Sequence, residues 1–260
     1  MRALRKHTDC KWLLLYIERW LKAPMEGANG QLQERVTGTP QGGVISPLLA
    51  NLFLHYAFDM WMKREYRHIR FERYADDIIV HCQTEIEANK LRIAIENRLE
   101  QCGLRLNPNK TKVVCCQKGN CGRQDTVKQF DFLGYTFRPR MAKSRIGKFF
   151  AAFTPALSKQ SAILMRYRIR KWRLSLKCNR TLQEIASWVN PIVRGWINYY
   201  GRYHRSSLDP IFKALNYHLA KWVRRKYKHL SARHSKAMKW LAKIAKAQPR
   251  LFVHWQNGVW

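Results

Sequence analysis

The segment IRFERYADDIIVHCQ, residues 69–83, decides how the fold is interpreted. Two short runs rich in β-branched and aromatic residues flank Asp76-Asp77, a pattern typical of a β-hairpin with two carboxylates at its tip. Because aspartate is common in turns, a solvated hairpin tip would by itself explain the pair. The apolar run 78–80, however, predicts a buried scaffold under the turn. Two hard oxygen ligands on such a scaffold suit Mg²⁺.

The chain around this hairpin is strongly basic. Its 260 residues include 49 Lys and Arg but 17 Asp and Glu, a net charge of +32, and 46% are hydrophobic, which argues against a disordered chain. Residues 141–260 contain 26 Lys and Arg and two acids, Glu184 and Asp209. This imbalance excludes an ordinary enzyme of small metabolites and favours a polyanionic partner, most simply nucleic acid. A paired-aspartate Mg²⁺ site in such a chain predicts a nuclease or a polymerase.

On either side of the hairpin, the residue patterns predict a mixed α+β first part and a mainly helical second part. Turn-forming residues fill 37–43, and a helix is predicted over Val44–Arg64 because apolar residues recur there every three or four positions. Gly134 is expected to allow a close approach of backbone. The other predicted elements are helices over Lys11–Ala23 and Glu85–Cys102, the latter closed by Gly103, strands over Leu104–Val114, Phe130–Phe137 and Arg145–Phe153, and helices from Ser158 onward.

The cysteines and the N-terminal residues predict a cytoplasmic chain. Seven cysteines, an odd number at irregular spacing, disfavour a secreted disulfide framework. The cluster Cys115-Cys116-x4-Cys121 lacks a second Cys or His pair, which disfavours zinc without excluding it. The basic start of the chain does not fit a signal peptide, and the uncharged stretch Val36–Phe58 contains several prolines and glycines. We therefore expect no membrane partner.

Five motifs, in the same order along the chain, resemble those of group II intron reverse transcriptases. Residues 74–77, Tyr-Ala-Asp-Asp, resemble the YADD box, and residues 38–54 resemble the block that precedes it in that family. Residues 106–112 and 130–135 are similar to the next two motifs, and residues 190–200 resemble the maturase-specific region, domain X. Because five motifs fall in register, the sequence resembles a group II intron reverse transcriptase/maturase, as a C-terminal fragment.

The resemblance implies both a fold and an activity. The expected fold is α+β, with a partial polymerase palm (an antiparallel sheet with helices) over 1–140 and an all-α, basic thumb/maturase region over 141–260. The expected activity is RNA-directed DNA polymerisation, a nucleotidyl transfer that uses Mg²⁺, and the expected partners are a DNA primer, dNTPs and group II intron RNA, bound for splicing and for mobility of the element.

The same resemblance assigns roles to individual residues. Asp76 and Asp77 would be the catalytic metal ligands. Residues Pro40, Gln41 and Gly42 would line the template and nucleotide pocket, Lys110 would lie near the triphosphate, and Phe132, Leu133, Gly134 and Tyr135 would grip the primer end. The charge pattern adds candidate RNA contacts at Arg166, Arg168, Arg170, Lys171, Arg173, Arg194, Lys221, Arg224, Arg225, Lys226 and Lys228.

The sequence departs from the family pattern in one respect. The family's polymerase site uses a third aspartate in an upstream strand, whereas only Asp9 and Glu18 precede Glu26, and no apolar strand surrounds Asp9. We therefore expect little or no polymerase activity from this polypeptide alone, because two-metal chemistry depends on every shared ligand. Three alternatives stay open: a polymerase completed by an N-terminal fragment in trans, a non-catalytic RNA-binding maturase remnant, and a decayed reading frame that folds poorly. Homodimerisation also stays open.

Overall fold

A computed structural model describes residues 1–26, 29–33, 38, 42–116, 127–144 and 146–258. The chain forms two compact units, Met1–Val113 and Val114–Trp260. Each unit combines helices with antiparallel strands, which confirms the predicted α+β class. In the described ranges, none of the helices is both long and apolar enough to cross a bilayer.

The first unit is built around one hairpin and the helices beside it. Its elements are α1 (Lys11–Lys22), a short antiparallel pair β1 (Met25–Glu26) and β2 (Leu32–Gln33), α2 (Ser46–Leu54), α3 (Met60–Glu65), the hairpin β3 (Arg70–Tyr74) and β4 (Asp77–His81), and α4 (Glu85–Gln101).

The predicted helix over 44–64 forms, but it is not uniform. Pro47 lies in the first turn of α2, where a missing N–H costs no helical hydrogen bond. Between α2 and α3 the backbone follows a π-helix over His55–Asp59, a conformation found mainly as short insertions in α-helices and often beside functional residues. The predicted helix after the hairpin is also confirmed, and Gly103 closes it in the left-handed region with φ +75°.

The predicted strand over Leu104–Val114 is wrong. A turn interrupts this segment, because the carbonyl of Asn107 accepts hydrogen bonds from the N–H groups of Lys110 and Thr111 at 3.1 and 2.9 Å. The side chain of Asn107 also accepts the N–H of Asn109 at 3.0 Å. A side chain that bonds the backbone two residues onward favours a turn over an extended ladder.

The second unit begins with a three-stranded antiparallel sheet and continues as helices. Its elements are β5 (Phe130–Phe132), β6 (Tyr135–Lys143), β7 (Phe149–Leu157), α5 (Lys159–Lys171), α6 (Leu182–Tyr200), α7 (Asp209–Lys226) and α8 (His234–Ala247).

Two strand predictions need correction here. Phe130–Phe137 is not one strand but a tight hairpin, because Leu133 and Gly134 both have positive φ, +50° and +79°, and reverse the chain. The next strand runs over Phe149–Leu157 rather than 145–153, since a turn closed by the Ser144 N–H on the carbonyl of Lys148, at 2.8 Å, precedes it. Arg145 lies outside the described residues.

The compact units divide earlier in the chain than the boundary predicted at residue 140. Residue 140 falls within β6, which pairs with β7 along its whole length. Tyr135, at the start of β6, donates a hydrogen bond to the carbonyl of Tyr199 in α6. The three-stranded sheet therefore belongs with the helices, and the division of function between 1–140 and 141–260 stays a prediction.

The helices of the second unit enclose the larger core. Thr181 and Glu184 form a reciprocal capping box at the start of α6, which satisfies two otherwise unpaired N–H groups. One face of α7 is fully buried, from Ile211 to Val223. The indole of Trp222 donates to the carbonyl of Lys177 at 2.9 Å, so even the largest buried side chain keeps its polar atom paired.

A buried polar group fastens the end of the chain to this core. The side-chain oxygen of Asn216 in α7 accepts hydrogen bonds from the rings of His254 (2.8 Å) and Trp255 (3.0 Å). His254 is completely buried, and its Nδ1 has no hydrogen-bond partner among the described residues. Burial lowers the pKa of His254 to about 3, because the charged ring would be desolvated.

This histidine predicts a pH-dependent stability. Its pKa is lower in the folded state than the usual value near 6.5, so the unfolded chain takes up the extra proton as the pH falls below that value. We expect the free energy of unfolding to fall by about 2 kcal/mol between pH 6.5 and pH 5 on this account. Urea unfolding across this range would measure the loss.

His254→Gln provides the comparison for this prediction. Glutamine keeps an N–H donor but does not titrate, so the variant should be less stable at pH 7 and should lose the His254 part of the pH dependence between 6.5 and 5. The smaller part due to His218, whose pKa is also lowered in the folded chain, should remain. An equally steep pH dependence in the variant would assign the effect to other groups.

Candidate metal-binding turn and nucleic-acid surface

The paired aspartates lie at the tip of the β3–β4 hairpin, as predicted. Tyr74 pairs with Asp77, which leaves Ala75 and Asp76 as the two-residue loop. Both aspartates are exposed. Among the residues that the structure describes, none donates a hydrogen bond to either carboxylate or forms an ion pair with it. Their oxygens are therefore available to a ligand from solution.

The scaffold under the turn is apolar, as the flanking sequence indicated. Phe58, Met62, Ile69 and Leu91 form a buried cluster between the helices and the hairpin. The rings of Phe58 and Phe71 meet edge to face with centroids 5.2 Å apart, a favourable arrangement for an aromatic pair. The hairpin is thus anchored along its inner face while its tip stays in solvent.

Beside the tip, Arg73 joins three parts of the first unit. Its guanidinium donates to both carboxylate oxygens of Asp59, at 2.7 and 2.6 Å. Its Nη1 donates to the side-chain oxygen of Asn51 at 2.8 Å and to the carbonyl of Ala75 at 3.0 Å. Asn51 belongs to α2 and Asp59 to the π-helical turn. The guanidinium thereby ties the loop between the strands to the preceding helix.

The electrostatics of this pair follow from its partial burial. The side chains of Arg73 and Asp59 are 11% and 14% exposed. Burial raises the pKa of Asp59, but the hydrogen bond and charge of Arg73, with a smaller contribution from His55, outweigh it and lower the pKa overall. The hydrogen bond to Asp59 in turn raises the pKa of Arg73. Both groups are therefore charged at neutral pH.

The donor set of the turn fits Mg²⁺ in part. Mg²⁺ is commonly held by one or two carboxylates, with water and substrate phosphates completing its shell, and Asp76 and Asp77 supply two such carboxylates. In the described part of the chain, no three His, Cys, Asp or Glu side chains come together as a metal site. The turn thus suits a cation that brings further ligands with it.

The residues predicted to surround the aspartates are only partly described. Pro40 and Gln41 lie outside the described residues. Gly42 is exposed with φ +90°, and Lys110 is exposed in the Asn107 turn. Within the ranges that the structure describes, no hydrogen bond or ion pair links Gly42 or Lys110 to the aspartate turn. Their assignment to the substrate pocket stays a prediction.

The motif Phe132–Tyr135 packs against the second half of α6. The carbonyl of Leu133 accepts the hydroxyl of Tyr199 at 2.9 Å, and Tyr135, 8% exposed, donates back to the carbonyl of Tyr199. The carbonyl of Gly134 accepts from the N–H of Ser158 (3.0 Å) and the hydroxyl of Ser161 (3.1 Å). The structure therefore brings together two of the sequence motifs, 130–135 and 190–200, in one hydrogen-bonded joint.

The hydroxyl of Tyr135 at this joint is harder to ionise than that of an exposed tyrosine. Burial, and then the neighbouring Tyr199, Tyr203 and Tyr200, raise the pKa of Tyr135. The phenol is therefore neutral at physiological pH and acts as a hydrogen-bond donor.

Most of the predicted RNA contacts are exposed cationic side chains of the second unit. Nine of the eleven are exposed, and we call these nine the cationic surface: Arg166, Arg168, Arg170, Lys171, Arg173, Arg194, Lys221, Arg225 and Lys228. None of the nine forms an ion pair with a carboxylate in the described ranges. Burial lowers the pKa of His218, and the positive charges of Lys221 and Arg170 lower it further, as expected in a field of positive charge.

The other two predicted contacts are partly engaged in holding the fold. Arg224 donates from Nε to the carbonyl of Ser231 at 2.9 Å. The ammonium of Lys226 donates to the carbonyl of Arg180 and lies 5.3 Å from the ring centroid of Trp222. Carbonyls do not neutralise these charges, but a phosphate would have to compete with them for the donors.

Sequence reasoning missed the Asn51–Arg73–Asp59 network. The signal was present in the alternation of β3, whose inward positions are Phe71 and Arg73. A charged residue at an inward strand position needs a partner, because an unpaired buried charge is costly. The partner itself could not be read from sequence, since Asp59 lies 14 residues earlier and faces the strand through the π-helical turn.

Comparison with known proteins matches both halves of the chain to family models. Residues 1–137 match the model described as reverse transcriptase (RNA-dependent DNA polymerase). Residues 164–241 match the model of the group II intron, maturase-specific domain. No curated protein matches the chain.

Proposed function

Since this chain belongs to the reverse transcriptase (RNA-dependent DNA polymerase) family and carries the maturase-specific domain of group II introns, we propose that it binds intron RNA through its cationic surface. We further propose that Asp76 and Asp77 are the metal-binding part of its polymerase site. The presence of a maturase domain makes group II intron RNA the natural partner. The proposal concerns which residues of this chain meet that RNA and that metal.

One observation carries the RNA-binding proposal. Nine exposed cations have no carboxylate partner among the residues that the structure describes. Glu184, one of the two acids after residue 140, is already committed to the capping box of α6. Such a surface repels itself unless a polyanion neutralises it. Structured RNA suits it, because RNA helices are recognised through backbone phosphates and shape more than through base edges.

The proposed role of the aspartate turn is to hold Mg²⁺. When bound, Mg²⁺ would neutralise charge on the phosphates of a nucleotide during nucleotidyl transfer. The turn itself contributes two exposed carboxylates that no described residue engages. The apolar cluster beneath fixes the strands that carry them, so the carboxylates can be oriented before the metal arrives.

A non-catalytic RNA-binding maturase is the second candidate, and the upstream acids favour it. Glu18 lies within α1 and is paired with Lys22 at 2.7 Å, which lowers its pKa. Asp9 lies in the coil before α1. Neither is on a strand, where the family resemblance places the third aspartate. We therefore expect RNA binding without DNA synthesis from this polypeptide alone.

Primer extension and RNA binding, measured together, test the proposal. The protein would be given an RNA template with an annealed DNA primer, dNTPs and Mg²⁺, beside the double variant Asp76→Ala/Asp77→Ala. We expect no extension from either protein and equal RNA affinity in both. Extension that is lost in the variant would show that another carboxylate completes the site and would contradict the non-catalytic alternative. RNA affinity that collapses in the variant would place the RNA at the turn and contradict the proposed surface.

A further inference from the structure

We infer that Arg73 is a positioning residue for the Asp76-Asp77 turn, acting through the Asn51–Arg73–Asp59 network. The inference deepens the proposed metal-binding role of the turn and rests on it. Arg73 touches neither carboxylate. It holds instead the carbonyl of Ala75, the residue immediately before Asp76.

The backbone at Ala75 supplies the reason that a restraint is needed. Ala75 has φ +53°, in the left-handed region, where the Cβ of an L-residue crowds its own backbone. A residue other than glycine stays there only when its surroundings enforce it. Within the described chain, the side-chain hydrogen bond to the carbonyl of Ala75 comes from Nη1 of Arg73, so the guanidinium holds the strained residue itself.

The restraint is effective because the guanidinium is itself immobile. Four of its five N–H donors are used, two on Asp59, one on Asn51 and one on Ala75. The bidentate contact with Asp59 fixes the plane of the group, and Asn51 fixes the Nη1 end. A lysine cannot reproduce this arrangement, since its ammonium is a single point with three donors on a flexible chain.

The network also couples the turn to the helix before it. Asn51 lies on α2, and Asp59 faces the hairpin from the π-helical turn. A shift of either residue would move the guanidinium and with it the peptide that precedes Asp76. Arg73 therefore sets where the two carboxylates stand relative to α2.

The test compares Arg73→Lys with Arg70→Lys. Arg70 lies on the same strand and is exposed, and its side chain has no hydrogen bond or ion pair in the described ranges, so its variant controls for the change of residue type. Backbone order parameters of Ala75 and Asp76, measured by NMR, should fall from about 0.85 toward about 0.6 in Arg73→Lys. Those of Phe71 and Val80, a paired position farther along the hairpin, should not change in either variant.

Metal affinity provides the second readout. Mn²⁺ binding, followed by the EPR signal of the free ion, should weaken about tenfold in Arg73→Lys and stay unchanged in Arg70→Lys, corresponding to the loss of one charge-assisted hydrogen bond. If Arg73→Lys does not fold, Asn51→Ala removes a single contact of the same guanidinium. It should lower the Ala75 and Asp76 order parameters in the same direction.

The two ideas can fail separately. Mn²⁺ binding that survives Asp76→Ala/Asp77→Ala would refute the proposed metal site, while the order parameters would still decide whether Arg73 positions the turn. Unchanged order parameters at Ala75 and Asp76 would overturn the inference about Arg73. If the wild-type chain binds Mn²⁺ through the aspartate pair, unchanged Mn²⁺ affinity in Arg73→Lys would also overturn the inference about Arg73.

Discussion

The affinity of this chain for group II intron RNA should fall about a thousandfold or more when monovalent salt is raised from 50 mM to 200 mM, as for proteins that make six or more phosphate contacts. Each Lys or Arg that meets a phosphate releases condensed counterions, so the logarithm of the affinity falls linearly with the logarithm of the salt concentration. The cationic surface offers nine such side chains, which form no ion pair with any carboxylate in the described part of the chain. Filter binding over a salt series measures the slope.

A matched pair of triple variants assigns that slope to the surface. Replacing Arg166, Arg170 and Lys171 with Gln should reduce the slope by about three, roughly one for each lost phosphate contact. Replacing Lys63, Lys90 and Arg92, exposed cations of the first unit, removes the same charge and should change the slope little. Equal effects of the two triples would mean that net charge, rather than this surface, drives binding. An affinity insensitive to salt would refute the phosphate-contact model altogether.

Gly134→Ala should destabilise the second unit by about 3 kcal/mol, from roughly 1–2 kcal/mol of left-handed strain and a comparable packing cost. Gly134 has φ +79°, and an added Cβ would lie 2.7 Å from the Tyr200 hydroxyl and 2.8 Å from that of Ser161. Neither hydroxyl can move freely, because Tyr200 donates to Ser161 at 3.3 Å and Ser161 donates to the Gly134 carbonyl at 3.1 Å. Urea unfolding measures the difference.

Gly103→Ala separates strain from packing in this prediction. Gly103 has a similar φ, +75°, but a Cβ there would meet no atom of the described residues within 4 Å. Its substitution should cost about 1 kcal/mol, the conformational part alone. Equal losses at the two glycines would show that the contacts of Gly134 with α5 and α6 are unimportant.

The sequence predicted elements best where one local pattern decided the structure. The β3–β4 hairpin and α4 follow from alternation, helical periodicity and a closing glycine. Gly134 was expected to permit a close approach of backbone; the backbone N–H of Ser158 bonds its carbonyl at 3.0 Å, but the atoms closest to its Cα face are the side-chain hydroxyls of Ser161 and Tyr200. In each case the residue type and its immediate neighbours carried the information.

Where a distant partner or an unusual backbone decided the outcome, local patterns were insufficient. Leu133 adopts positive φ although it is not glycine, so its residue type did not indicate the turn that divides Phe130–Phe137 into two strands. The apolar residues of 104–114 suggested a strand, yet the Asn107 side chain bonds its own backbone and competes with a ladder. At the candidate site, Asp76 and Asp77 were evident from sequence, whereas Arg73 acquired its role only when α2 and the π-helical turn were folded beside it.

The joint between Phe132–Tyr135 and α6 bears on how such a chain can diverge. The carbonyl of Tyr199 accepts a hydrogen bond from the hydroxyl of Tyr135, and the hydroxyl of Tyr199 donates one to the carbonyl of Leu133. Residues in direct contact do not vary independently, because a change in one alters the cost of a change in the other. A lineage that kept only the RNA-binding helices would therefore still be under selection to keep Gly134 and Tyr135, whose contacts with the helices depend on residue type. Persistence of these two residues in a descendant indicates an intact scaffold, and does not by itself show that DNA synthesis has been retained.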